Sequence, residues 1–129
     1  MNSAMADLAW ALMRMALGVL SIGHGLPKLL GGMETWQFLG TATQVIGISF
    51  LPAAWGFAGA CIEFFGGILL ILGFYTRLAC LFLIGMMIIA TLWHLKRGDP
   101  FSAYSFPITL IVVFAAMFVI GAGKFSLDG

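Results

Sequence analysis

The chain has 129 residues, of which 62% are hydrophobic and only 9% charged, with a formal net charge of +1. Soluble domains carry about 25% charged residues because their surfaces face water, so an ordinary soluble domain is excluded. A chain this short also has no room for a second, soluble domain. No basic run or basic helix face is available to meet phosphates, which excludes nucleic acid as a partner.

A membrane-spanning helix needs about 20 mainly apolar residues. Taken in chain order, residues 8–30, 53–75, 78–95 and 106–122 qualify. The predicted fold class is all-α: an integral membrane four-helix bundle, a single transmembrane domain over residues 1–129, with up-down topology and a long first connection. The first segment reads as retained, because Met1 to Asp7 has no basic residue and the apolar run that follows outlasts a signal-peptide core. Residues 31–52 alternate apolar side chains with Gly, Thr, Gln and Ser. They read as an interfacial loop with a short helix near Glu34 to Leu39 and Trp36 at headgroup level. Short later connections make the second, third and fourth helices antiparallel neighbours. Pro52 precedes the second helix, and Pro107 is expected near the start of the fourth, where its missing N–H costs little. Met1 and Gly129 then share one side, face A, and the two longer connections lie on face B. Arg77 and Lys124 on one face against Lys28, Lys96 and Arg97 on the other are too even to orient the bundle.

Charges inside spans carry the most information, because a Lys, Arg or Asp at a helix centre costs about 2.5 to 3.5 kcal/mol on insertion scales. Arg14, His24, Lys28, Glu63 and His94 are the candidates. Arg14, Gly18, Ser21, Gly25 and Lys28 repeat at helical spacing and form one seam that must look inward, with His24 flanking it. Gly18 and Gly25 also read simply as packing residues, and Lys28 as a snorkelling one. Glu63 is the deepest acid and shares its helix face with Gly59, Gly66 and Gly67. Two roles stay open for it, an ion pair with Arg14 and proton handling, and the pair predicts that Arg14 and Glu63 face one another. His24, Lys28 and His94 approach face B together, either as a site or as separate interfacial hydrogen-bonders. Trp10, Trp55 and Trp93 read as interface anchors, and Cys61 and Cys80 as small buried hydrophobes at different depths.

The ordered set Arg14, His24-Gly25-Leu26-Pro27-Lys28-Leu29, Glu63-Phe64-Phe65-Gly66-Gly67, Leu72-Gly73-Phe74-Tyr75-Thr76-Arg77, His94 and Gly121-Ala122-Gly123-Lys124-Phe125-Ser126-Leu127-Asp128 resembles the DoxX family of small bacterial membrane proteins. The resemblance covers nearly the whole chain. One departure stands out: similar members often carry a Glu just before the fourth helix, where this chain has Ala103-Tyr104-Ser105-Phe106-Pro107. The resemblance implies a four-helix protein of the bacterial inner membrane with redox associations, since the family is named from a subunit of a thiosulfate:quinone oxidoreductase. The sequence itself has no Cys pair, flavin fingerprint or iron–sulfur spacing, so electrons must come from a bound cofactor, a quinone or a partner.

Three functions are therefore weighed. In the first, a quinone-interacting subunit, Glu63 and His24 are the proton-handling catalytic candidates and Arg14, Lys28 and His94 the ligand-binding ones. In the second, a non-catalytic scaffold or assembly factor docks a peripheral enzyme. In the third, His24 and His94 are the axial ligands of a b-type haem. The lipid bilayer is an expected partner, with quinone, a soluble oxidoreductase and a second copy of the chain as further candidates; no metal site is expected.

Overall fold

Lipid offers no hydrogen bonds to a bare backbone, so an apolar chain must satisfy its N–H and C=O groups within its own helices. The computed structural model describes residues 3–128, which form α1 (Ser3–Leu30), α2 (Gly32–Gly40), a 3-10 helix (Thr41–Ile46), α3 (Pro52–Leu72), α4 (Thr76–Arg97) and α5 (Phe101–Ile120), with no strand among them. α1, α3, α4 and α5 are each long and apolar enough to cross a membrane. They alternate in direction, which places Ser3 and Asp128 at face A and α2 with the 3-10 helix at face B. The expectation for Met1 and Gly129 falls outside the described residues.

Two boundaries differ from the sequence reading by five residues, the others by three or fewer. α1 begins at Ser3 rather than Leu8. α5 begins at Phe101, directly after the extended Pro100, so Pro107 lies inside the helix rather than near its start. The helix-compatible Phe101, Ala103 and Tyr104 let a Pro-led start at position 100 win over one at position 107.

Packing follows the small residues. Where α1 crosses α3, a Cβ on Gly18 would lie 2.6 Å from the Gly67 carbonyl oxygen, and a Cβ on Gly67 would lie 2.6 Å from the Gly18 oxygen. The two backbones touch, which only glycine permits. In the face-A half, Leu70, Ala79, Cys80, Leu83, Phe114 and Met117 form a buried core from α3, α4 and α5. Cys80 belongs to that core and Cys61 is half-buried, both as free thiols. In the face-B half, α2 seats on the first turns of α3, with Gly56 against the Trp36 carbonyl and Gly40 against that of Pro52. Trp36 is thereby packed on protein: its indole N–H donates to the Lys28 carbonyl at 3.0 Å, and its ring meets the edge of Phe57.

Candidate functional site

The seam on α1 does look inward: Arg14, Gly18 and Gly25 are buried, and Ser21 and Lys28 half-buried. What it meets depends on how α1 slides against α3. A Cβ on Gly25 would lie 2.6 Å from the Phe64 backbone nitrogen and 2.9 Å from the Glu63 Cβ, so Gly25 sets α1 directly against Glu63. The next polar group along the seam, about one turn further, is Lys28. Its Nζ donates to Glu63 Oε1 at 2.6 Å; Glu63 is 5% exposed, while a third of the Lys28 side chain stays accessible.

This pair borders a partly open cavity of about 280 Å³. Gly59 and Ala60 of α3 and Met86, Met87 and Ala90 of α4 form its walls, and Phe38 and Leu39 of α2 with Ala42 and Thr43 of the 3-10 helix cover it. Trp55 and Trp93, expected as interface anchors, are its aromatic sides. The charged or titratable groups on this otherwise apolar lining are Lys28, Glu63 and His94.

His94 is held from behind. Its Nδ1 lies 2.7 Å from Asp99 Oδ2, because the left-handed Gly98 (φ 76°) ends α4 and turns the chain back under the ring. Arg97 Nε is 3.8 Å from the same oxygen, and its guanidinium lies 4.3 Å over the Trp93 ring. Asp99 was missed by the sequence reading. Its signal is an acid placed just beyond a helix-ending glycine within reach of a terminal histidine.

The structure thus brings Lys28, Glu63 and His94 together, and leaves His24 and Arg14 apart from them. His24 is exposed on α1, with its ring 6.1 Å from that of Phe106 on α5, and it does not line the cavity. The residues therefore do not fit a bis-histidine haem, which needs both rings to reach one iron.

The expected Arg14–Glu63 ion pair is not formed. Arg14, 1% exposed, donates from Nε to the Leu70 carbonyl at 2.8 Å, from Nη1 to that of Ala122, and from Nη2 to that of Phe125 at 2.8 Å. The planar guanidinium fork matches three carbonyls gathered at the end of α3 and along the C-terminal strap; that of Leu70 also accepts from the Gly73 N–H at 3.3 Å. Around it the strap is fastened by Trp10 Nε1 to the Gly121 carbonyl (2.9 Å), Leu127 N to Leu72 O (3.1 Å) and Asp128 N to Gly73 O (2.8 Å). Arg14 is a structural clasp on face A, far along α1 from the cavity.

Asp128 completes the clasp by capping α4, accepting from the Tyr75 and Thr76 backbone N–H groups at 2.9 Å each. Loss of hydration alone would raise its carboxyl, but those backbone hydrogen bonds and the Arg14 charge together hold it below its ordinary value. A depressed carboxylate contributes stability that is complete above the unfolded-state value and is lost as pH falls through the folded one. Acidification below the usual carboxylate range should therefore open this end. Hydrogen exchange at Tyr75 and Thr76, corrected for intrinsic rates, should accelerate there in the parent, whereas in Asp128→Ala it should be fast at every pH. Protection that is independent of pH in the parent would contradict the cap.

An all-α, multi-pass membrane bundle with its charges buried in two separate places is the class that fold and site define. The chain belongs to the DoxX family, whose profile matches residues 9–96. It is similar to CatD of Bacillus subtilis (strain 168), a protein described as a candidate oxidoreductase, with 28% identity over 123 residues that cover 95% of this chain and 86% of CatD. No solved structure matches the chain.

Proposed function

We propose that the face-B cavity receives the head group of a quinone, and that the chain is a redox-associated subunit of an oxidoreductase complex in the bacterial inner membrane. The observation that carries this reading is the convergence of Lys28, Glu63 and His94 on one small, otherwise apolar cavity at the end of a membrane bundle. Apolar walls with a few placed polar groups are the usual makeup of a small-molecule site. A quinone supplies the ability to carry two electrons and two protons. Lys28 offers a fixed positive charge to a polar oxygen, and Glu63 holds that ammonium in place from below. His94 brings a ring nitrogen that can exchange a hydrogen bond with the head group. Trp55 and Trp93 offer flat apolar surface to a ring. The description of CatD as a candidate oxidoreductase supports the redox part of the reading, and a soluble oxidoreductase is the partner that would exchange electrons with the bound head group. His24, apart from the cavity, is left a lesser role than the sequence suggested.

The test plugs the cavity without touching its polar groups. A Cβ on Gly59 meets only the end of the Met86 side chain, at 3.4 Å, so Gly59→Phe can point into the space. In native-lipid particles, a short-chain benzoquinone should quench Trp55 and Trp93 in the parent, and the plugged variant should bind it at least about tenfold more weakly while melting like the parent. Equal binding by both proteins, or binding of neither the quinone nor its quinol by the parent, would remove the reading.

A further inference from the structure

We infer that Asp99 fixes His94 so that the cavity presents a hydrogen-bond acceptor, and that the site therefore prefers the reduced, hydroxyl-bearing form of its head group and takes up that hydroxyl's proton. This rests on the quinone reading of the cavity and deepens it by naming the redox form recognised.

An ionised carboxylate can only accept a hydrogen bond, so the proton in the 2.7 Å contact between His94 and Asp99 sits on Nδ1. In the neutral ring Nε2 is then bare. His94 lines the cavity while Nδ1 is engaged behind it, which leaves Nε2 as the nitrogen available to a ligand. A bare Nε2 accepts from a quinol hydroxyl and has nothing to donate to a quinone carbonyl. Lys28 serves the opposite need, since an ammonium only donates, and it suits the second oxygen of either form. His94 Nε2 thus adds an acceptor and Lys28 a donor to a cavity of about 280 Å³ that Glu63 and Thr43 also line, and the His94 acceptor is the one that Asp99 sets.

The step is a proton transfer alone. The O–H bond of the bound quinol breaks, an N–H bond forms at His94 Nε2, and the electron pair of the O–H bond stays on the ligand oxygen. The Nδ1 proton remains shared with Asp99, whose charge stabilises the imidazolium that results. Asp99 is half-buried in the face-B connection, so the pair links the cavity to the aqueous side. Other charges face the ring from defined places. Arg97 shares Asp99 at 3.8 Å, and Lys28 and Glu63 lie on the same cavity lining from α1 and α3. The lining from α2 and the 3-10 helix, Phe38, Leu39, Ala42 and Thr43, brings none. Asp99 acts through His94 and is a positioning residue.

The experiment uses the full chain in native-lipid particles without oxygen, with a short-chain benzoquinone and its quinol as probes and tryptophan quenching as the signal. At about pH 8 the parent should bind the quinol about tenfold more tightly than the quinone, the value of one hydrogen bond made against one left unmade. Asp99→Asn should reduce that preference to near equality, and Asp99→Glu should restore it. Ring nitrogen NMR gives a readout that needs no ligand: His94 should be protonated at Nδ1 in the parent and a mixture of tautomers in Asp99→Asn, with exposed His24 as the internal reference. Equal affinity for the two forms in the parent, or a preference unchanged by Asp99→Asn, would overturn the inference and leave the quinone reading standing. If neither form binds, the quinone reading falls and the inference with it.

Discussion

Replacing Arg14 with methionine is expected to cost about 2 to 5 kcal/mol and to release the C-terminal strap from face A. The loss comes from what the side chain leaves behind. The carbonyls of Ala122 and Phe125 would lose the donor that Arg14 supplies, and that of Leu70 would keep only the 3.3 Å bond from Gly73 N–H; each orphaned carbonyl costs about 1 to 3 kcal/mol. Part of that is recovered if the strap peels away into water, which is why the effect should appear as local opening as well as lower stability. Arg14→Lys should not rescue it, because a single ammonium on a shorter reach cannot span three carbonyls that a planar fork meets together. Thermal unfolding in native-lipid particles, with limited proteolysis of residues 121–128, reads both effects. A melting temperature within about 4 °C of the parent and an uncut strap would show that the clasp is not what holds this end.

The second large effect concerns the pair in the face-B half. Lys28→Met leaves the Glu63 carboxylate buried without a counter-ion, a loss of about 3 to 5 kcal/mol for a fully buried pair. A third of the Lys28 side chain stays accessible, so water offsets some of this and the low end of that range is expected. Adding Glu63→Gln should recover most of the loss, since an uncharged pair needs no partner. A double-mutant cycle on Lys28 and Glu63 should show coupling above about 1 kcal/mol, whereas the same cycle on Arg14 and Glu63 should be additive within about 0.5 kcal/mol. Reversed results would restore the pairing of Glu63 with Arg14.

That contrast shows what the sequence could and could not carry. The four apolar runs, the inward seam on α1 and the short helix in the first connection were all legible, because each depends on local periodicity and length. The partner of Glu63 was not, because it depends on the register between two helices. Counting depth from the start of α3 places Glu63 about 15 Å deep if α1 and α3 end level. The Gly18–Gly67 and Gly25–Glu63 contacts instead carry Pro52 about one turn past Leu30, which lowers Glu63 to the level of His24 and Gly25 and within reach of Lys28. Arg14 is left opposite Leu70, where the broken end of α3 and the returning C-terminus offer carbonyls. The closing run Gly121 to Asp128 is legible as a family-like motif, yet its role as the partner of Arg14 depends on the strap's path in space. His24 and His94 were grouped by depth alone; rotation about α1 separates them, and only His94 reaches the cavity. Asp99 was invisible for the same reason, since its contact depends on the turn at Gly98 rather than on spacing within a helix.

The central claim, that the cavity beneath α2 holds a quinone head group beside Lys28, Glu63 and His94, is tested most directly by extracting the protein in native-lipid particles and measuring what small molecules leave with it by mass spectrometry, with Gly59→Phe prepared in parallel. The expected result is a quinone at close to one per chain in the parent and a small fraction of that in the plugged variant. An equal amount from both, or no more from the parent than from protein-free lipid, would contradict it.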